Sequence, residues 1–173
     1  MAISLYDASV LSYLQILDAA KGFLQKGRDW CEANGVDPEE VVQDKLAEDM
    51  RPLGFQVYQM GFHSAGAMNA IRNGALEMVR GTPTDYAGLQ AIVAKAADDL
   101  RALDPDEVNS WTGKEVAFRV PGKDDRMFTA EGFLLSFSLP NFHFHAATAY
   151  DILRRRGAPL GKLDFMGALR LKA

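Results

Sequence analysis

Apolar residues recur at three- and four-residue intervals in four separate stretches of this 173-residue chain, and that periodicity limits what it can fold into. The first stretch, residues 5–34, carries Val10, Tyr13, Leu14, Leu17, Ala20, Leu24 and Trp30 on one face. Asp7 or Ser9 can cap it, and Asn34-Gly35 stops it. The second, residues 51–73, opens on Arg51-Pro52 and repeats Leu53, Val57, Met60, Ala67 and Ile71, with His63 inside it. The third, residues 85–102, repeats Leu89, Ile92, Val93, Ala96 and Leu100. The fourth runs from Thr129, a cap, to Arg156, with Gly157 as its stop. Asp37-Pro38-Glu39-Glu40 and Asp104-Pro105-Asp106-Glu107 each start a short helix, with the cap, the proline and the acids in their favoured places. Gly54, Gly61 and Gly66 in the second stretch suit a close helix–helix approach rather than a phosphate loop.

Between the third and fourth stretches the period changes to two. Val116, Phe118 and Val120 alternate with Glu115, Ala117 and Arg119, Pro121 to Asp125 reads as a turn, and Arg126 to Thr129 can return. An isolated hairpin is marginal in water, so this one must pack on helices. Residues 74–82 read as a loop, including Gly81-Thr82-Pro83, and the tail from Ala158 to Ala173 reads as extended. The expectation is an all-α protein: one domain over residues 1–173, a four-helix bundle with a small β-hairpin between the third and fourth long helices. A chain of this length can bury roughly 70% of its unfolded surface, enough for a core without staples.

Charge and cysteine usage narrow the function classes. A net charge of −4 argues against sequence-independent nucleic-acid binding, which needs a basic face. The basic cluster Arg154-Arg155-Arg156 sits where it complements a helix dipole. Cys31 is the one cysteine, so no intramolecular disulfide forms, which fits a reducing compartment and a structural thiol. No signal-peptide pattern opens the chain and no run of about 18 apolar residues could span a membrane, so a cytoplasmic, membrane-free protein is expected.

The stretch from Leu139 to Arg154 carries the chemistry. It holds two of the three histidines, His143 and His145, and a proline, Pro140, inside a helical run. A helix-interior proline lacks the backbone donor and displaces the carbonyl four residues earlier, at Ser136, so a kink or break is expected near Ser138 to Pro140.

These residues also carry a resemblance. Tyr6-Asp7-Ala8-Ser9, Asp49-Met50-Arg51-Pro52-Leu53 with Gln56-Val57, His63, Leu139-Pro140-Asn141-Phe142 with Phe144-His145 and Thr148 to Arg154, then Gly161-Lys162 and Asp164-Phe165, together resemble the DinB-like helical-bundle superfamily. More closely, they look like one uncharacterised subfamily, a domain of unknown function. The resemblance covers nearly the whole chain. It implies a four-helix bundle, often dimeric. Many members bind a divalent metal through three histidines, one on the second helix and an i, i+4 pair on the last, and some are metal-dependent thiol transferases or isomerases.

This chain departs from that pattern. Four residues before His145 stands Asn141, and four after it Ala149. His143 and His145, two apart on a helix, point about 200° from each other and cannot converge on one ion. The subfamily resemblance puts an aromatic where His143 stands, so His143 reads as a surface or rim residue. His63 and His145 remain as candidate catalytic groups, acid–base or hydrogen-bonding, and as the metal ligands if a metal is bound. Tyr6, Asp49, Asn141 and Tyr150 are the candidate ligand-binding residues, with Asp49 also readable as a helix cap and Asn141 as the cap of a restarted helix. Thr148, at i+3, could orient His145.

Three functions compete. The first is a metal-independent small-molecule binder or acid–base enzyme with a histidine-lined pocket and no cofactor. The second is a zinc- or nickel-dependent transferase or hydrolase of the DinB type. The third is a non-catalytic homodimer whose polar core sets packing only. The first makes a geometric demand: His63 and His145 must reach one site.

Overall fold

The computed structural model describes residues 3–78, 81, 83 and 85–172. The chain opens with one short turn, α1 (Leu5–Ala8), and a long helix, α2 (Val10–Asn34), separated at Ser9, whose hydroxyl donates to the Leu5 carbonyl at 2.7 Å. The opening cap is Ser4, while Ser9 stands at the N-cap position of α2 without a side-chain capping bond. Ser4 accepts from the Asp7 backbone N–H, and the Asp7 carboxylate accepts in return from the Ser4 N–H, a reciprocal box that satisfies two otherwise orphaned donors. Gly35, at φ 66°, ends α2 as expected, and Asp37 and Asp104 cap α3 (Pro38–Val42) and, later, α7 (Pro105–Asn109).

The second apolar stretch is two helices, α4 (Leu53–Phe62) and α5 (Ala65–Asn73). His63 is the C-cap of α4 rather than a residue inside one long helix, and Ser64 is non-helical at φ −115°, ψ −93°. The Ser64 hydroxyl bonds back to the Met60 carbonyl at 2.6 Å, competing with the backbone ladder. Pro52, not Asp49, occupies the N-cap of α4. The third stretch is α6 (Tyr86–Arg101), capped by Asp85.

Residues 75–77, read as loop, form a strand, β1 (Ala75–Glu77). It pairs in parallel with β2 (Glu115–Arg119), Leu76 opposite Phe118, and β2 pairs antiparallel with β3 (Arg126–Thr129), Val116 opposite Phe128. The expected hairpin is therefore the larger part of a three-stranded sheet. Val79, Arg80 and Thr82 of the expected loop lie outside the described residues.

After one helical turn, α8 (Ala130–Gly132), capped by Thr129, comes a π-helical segment, Phe133–Ser138, and then α9 (Leu139–Arg156). The expected break before Pro140 takes this form. The wider turn moves the carbonyls away from the proline ring, the Leu139 N–H reaches back five residues to Leu134, and the Asn141 side-chain amide donates to the Phe137 carbonyl at 2.7 Å. The tail is not wholly extended: α10 (Lys162–Met166) folds against α2, held by Lys26–Asp164 at 2.7 Å and by the Gln15 amide donating to the Met166 carbonyl at 2.9 Å.

α2, α4, α6 and α9 form the bundle: α2 packs on α6 and α9, and α4 packs on α6 and α9. Their shared interior holds Tyr13, Leu17, Phe23, Leu53, Met60, Leu89 and Phe142, all fully enclosed. Among the described residues no helix is long and apolar enough to cross a membrane.

Candidate functional site

The α4–α9 contact brings His63 and His145 together. Their rings are nearly parallel, 12° apart, with centroids separated by 6.0 Å. Both are enclosed, His63 at 4% and His145 at 8% exposure. Phe62 and Phe137 meet the His63 ring edge-on at 5.1 and 5.3 Å, and Phe55 and Phe144 meet the His145 ring at 5.9 and 5.3 Å. The sheet reaches this cluster through Phe137, whose ring lies 4.7 Å from Phe118 on β2 and 5.9 Å from Phe128 on β3.

Gln56 decides the state of His145. The Gln56 amide nitrogen donates to the Arg51 carbonyl at 2.8 Å, which turns its oxygen toward His145 Nδ1 at 2.7 Å. An amide oxygen only accepts, so Nδ1 carries the proton and the neutral ring presents a lone pair at Nε2. Burial holds His145 near a pKa of about 4. Burial, and secondarily the neighbouring His145, holds His63 at about 3. Both rings are therefore neutral at pH 7.

The backbone of His63 is fixed from below. Tyr13 donates to Ser138 Oγ at 2.9 Å, and Ser138 donates to the His63 carbonyl at 2.6 Å, linking α2, the π segment and α4. Burial raises the Tyr13 phenol, so it stays a donor. Ser138 reaches this position because the π turn ends there. Above this support His63 Nδ1 is buried and has no hydrogen-bond partner. Buried polar atoms are nearly always paired, so an orphan of this kind marks a place to ask about function.

The other candidates stand elsewhere or have local partners. The Tyr6 backbone N–H donates to Asn109 Oδ1 at 3.0 Å, joining α1 to α7. Asp49 is exposed in the turn before α4. Asn141 serves the Phe137 carbonyl. Tyr150 packs between Phe23 and Phe165, at 6.1 and 5.7 Å. Thr148 does not orient His145, because its hydroxyl donates to the Phe144 carbonyl. His143 is exposed, as a rim position requires. The residues that sequence reasoning missed are Gln56, Tyr13 and Ser138. Gln56 did leave a signal: it precedes His63 by seven residues, two helical turns, and so shares its face.

The donor set does not fit the three-histidine metal site that the resemblance implies. Two imidazoles are present, and one nitrogen of His145 is already hydrogen-bonded to an amide. Among the described residues no three His, Cys, Asp or Glu side chains gather where a metal could be held.

The sequence profile of the family described as "Domain of unknown function (DUF1993)" matches residues 5–166. The crystal structure of a DinB family member protein from Shewanella denitrificans is similar over 98% of this chain and 95% of that one, at 25% sequence identity and a TM-score of 0.82. No curated protein matches the chain. A match spanning nearly the whole sequence, together with a bundle of the DinB kind, places the chain in the DUF1993 family, an uncharacterised branch with the DinB-like fold.

Proposed function

We propose that the protein binds a small, uncharged, hydrogen-bonding molecule between His63 and His145, without a metal. The observation that carries this reading is the buried, unpartnered Nδ1 of His63 beside a second imidazole whose tautomer Gln56 has fixed. Leaving such an atom unpaired costs about 1–3 kcal/mol, which a ligand group can recover. His145 Nε2 accepts from a ligand hydroxyl, thiol or N–H, and where that group is acidic the same lone pair acts as a general base. The surrounding phenylalanines favour a ligand with an apolar body and disfavour a free charge.

Thermal-shift screening with a panel of small alcohols, amides and azoles tests this, run on the wild type and on His145→Phe. At least one compound should raise the melting temperature of the wild type and leave the variant unmoved. A panel with no His145-dependent compound refutes the reading. A calorimetric titration with zinc or nickel that reaches one ion per chain would restore the metal-dependent alternative.

A further inference from the structure

The two histidines are enclosed, so a ligand needs a route to them and a place for its body. α4 and α6 approach closely at Gly61, where a Cβ would stand 2.9 Å from Ile92 Cγ2. Two residues later the helical path breaks at His63–Ser64. A cavity of about 590 Å³ spans this break, between the end of α4, α5 and α6. Gly61, Ala65, Ile92, Ala96 and Leu100 line its apolar part, and Arg72, Lys95 and Asp99 stand among its polar lining. Small-molecule sites fall in this size range and have this mostly apolar character.

The charges at the cavity are already matched. Arg72 Nε and Nη2 each lie 2.8 Å from Glu107 carboxylate oxygens, and Lys95 Nζ lies 2.8 Å from both oxygens of Asp99. A charge-balanced mouth over an apolar floor complements an uncharged ligand rather than an anion or a cation. Phe62 connects the cavity to the histidines: it lines the cavity, and its ring meets that of His63 edge-on at 5.1 Å.

We infer that this cavity holds the apolar body of an uncharged ligand, and that Phe62 is the gate through which the ligand's hydrogen-bonding end reaches His63 and His145. The second half of this inference rests on the function proposed above. The first half, the cavity as a binding site, stands without it.

The probe is N-phenyl-1-naphthylamine, a neutral molecule with two aryl groups and one N–H, titrated by fluorescence into the full chain. Saturable binding at one probe per chain is expected. Ala65→Trp fills the cavity, and Ala102→Trp fills its exposed end, where folding is least at risk. Each should weaken binding by about tenfold or more. Absence of saturable binding, or unchanged affinity in both tryptophan variants, overturns the cavity. For the gate, diethyl pyrocarbonate modification of the three histidines is followed by mass spectrometry. Phe62→Ala should speed modification of His63 and His145 several-fold while exposed His143 reacts at its old rate, and bound probe should slow it. Unchanged relative rates overturn the gate. Full probe affinity in His145→Phe, with loss in the tryptophan variants, leaves the cavity standing and sinks the histidine reading alone.

Discussion

The two buried imidazoles tie stability to pH. Each titrates near 6.5 in the unfolded chain and at about 3 (His63) or about 4 (His145) when folded. Between those values the unfolded state binds more protons than the folded one, so acid favours unfolding. The contribution of the two histidines should be flat above about pH 7, fall as pH drops through 6.5, and level off only below the folded values, a loss of up to about 8 kcal/mol across the whole range. Urea unfolding measured across this range checks it, and the double variant His63→Phe/His145→Phe should flatten the profile. Gln56→Leu removes the acceptor for His145 Nδ1 and the donor for the Arg51 carbonyl, and should cost about 1–3 kcal/mol in the same assay. Gln56→Glu should instead raise the His145 pKa, read from its imidazole resonances by NMR, because a carboxylate stabilises the imidazolium. At this scale the sequence revealed the histidines but not what fixes them. The direction of the Gln56 amide is set by a carbonyl five residues away and a ring on another helix, and no local pattern encodes that. Tyr6, Asp49, Asn141 and Tyr150 are polar residues in suggestive places, yet the partners of Tyr6 and Tyr150 are neighbours in the fold that a one-dimensional reading cannot see, and Asn141 serves a carbonyl one turn back.

At the scale of elements, caps and stops were the most legible features, because their geometry is local. Asp37, Asp85, Asp104, Thr129, Gly35 and Gly157 all act where their residue types suggest. The α4–α5 break was not legible. The apolar stripe through Val57, Met60, Ala67 and Ile71 continues across it, so periodicity alone reads one helix. Gly61 shows what the junction demands. Gly61→Ala, though favourable for an isolated helix, places a methyl 2.9 Å from Ile92 Cγ2 and should destabilise by about 1–3 kcal/mol. Chemical denaturation should show that loss and its recovery, at least in part, in Gly61→Ala/Ile92→Ala.

At the scale of the molecule, the four helices and the hairpin followed from the two periodicities. The three-residue β1 is too short to announce itself, and its parallel partner comes after α6 and α7. The sheet is joined to the bundle through Phe137, which touches Phe118, Phe128, Phe133 and His63. Phe137→Ala should therefore cost about 2–4 kcal/mol, somewhat below a fully buried phenylalanine because this ring is only partly enclosed. Hydrogen exchange should locate the loss, with amides of β2 and β3 losing protection before those in the middle of α2.

The π segment carries a consequence for how such chains can vary over generations. A π turn is an α turn holding one residue too many. Deleting one of the six residues Phe133–Ser138 would close the wide turn into an ordinary helix, keeping α8 and α9 in register while turning residues inside the segment by up to about 100° around its axis. Ser138 and Phe137 could then not both keep their partners, the one between Tyr13 and the His63 carbonyl and the other against Phe118 and Phe128. Substitutions in this segment are a matter of fit, tolerated or not one at a time. Insertions and deletions are different, since the number of residues between the hairpin and Pro140 is itself a conserved quantity in any descendant that keeps this site.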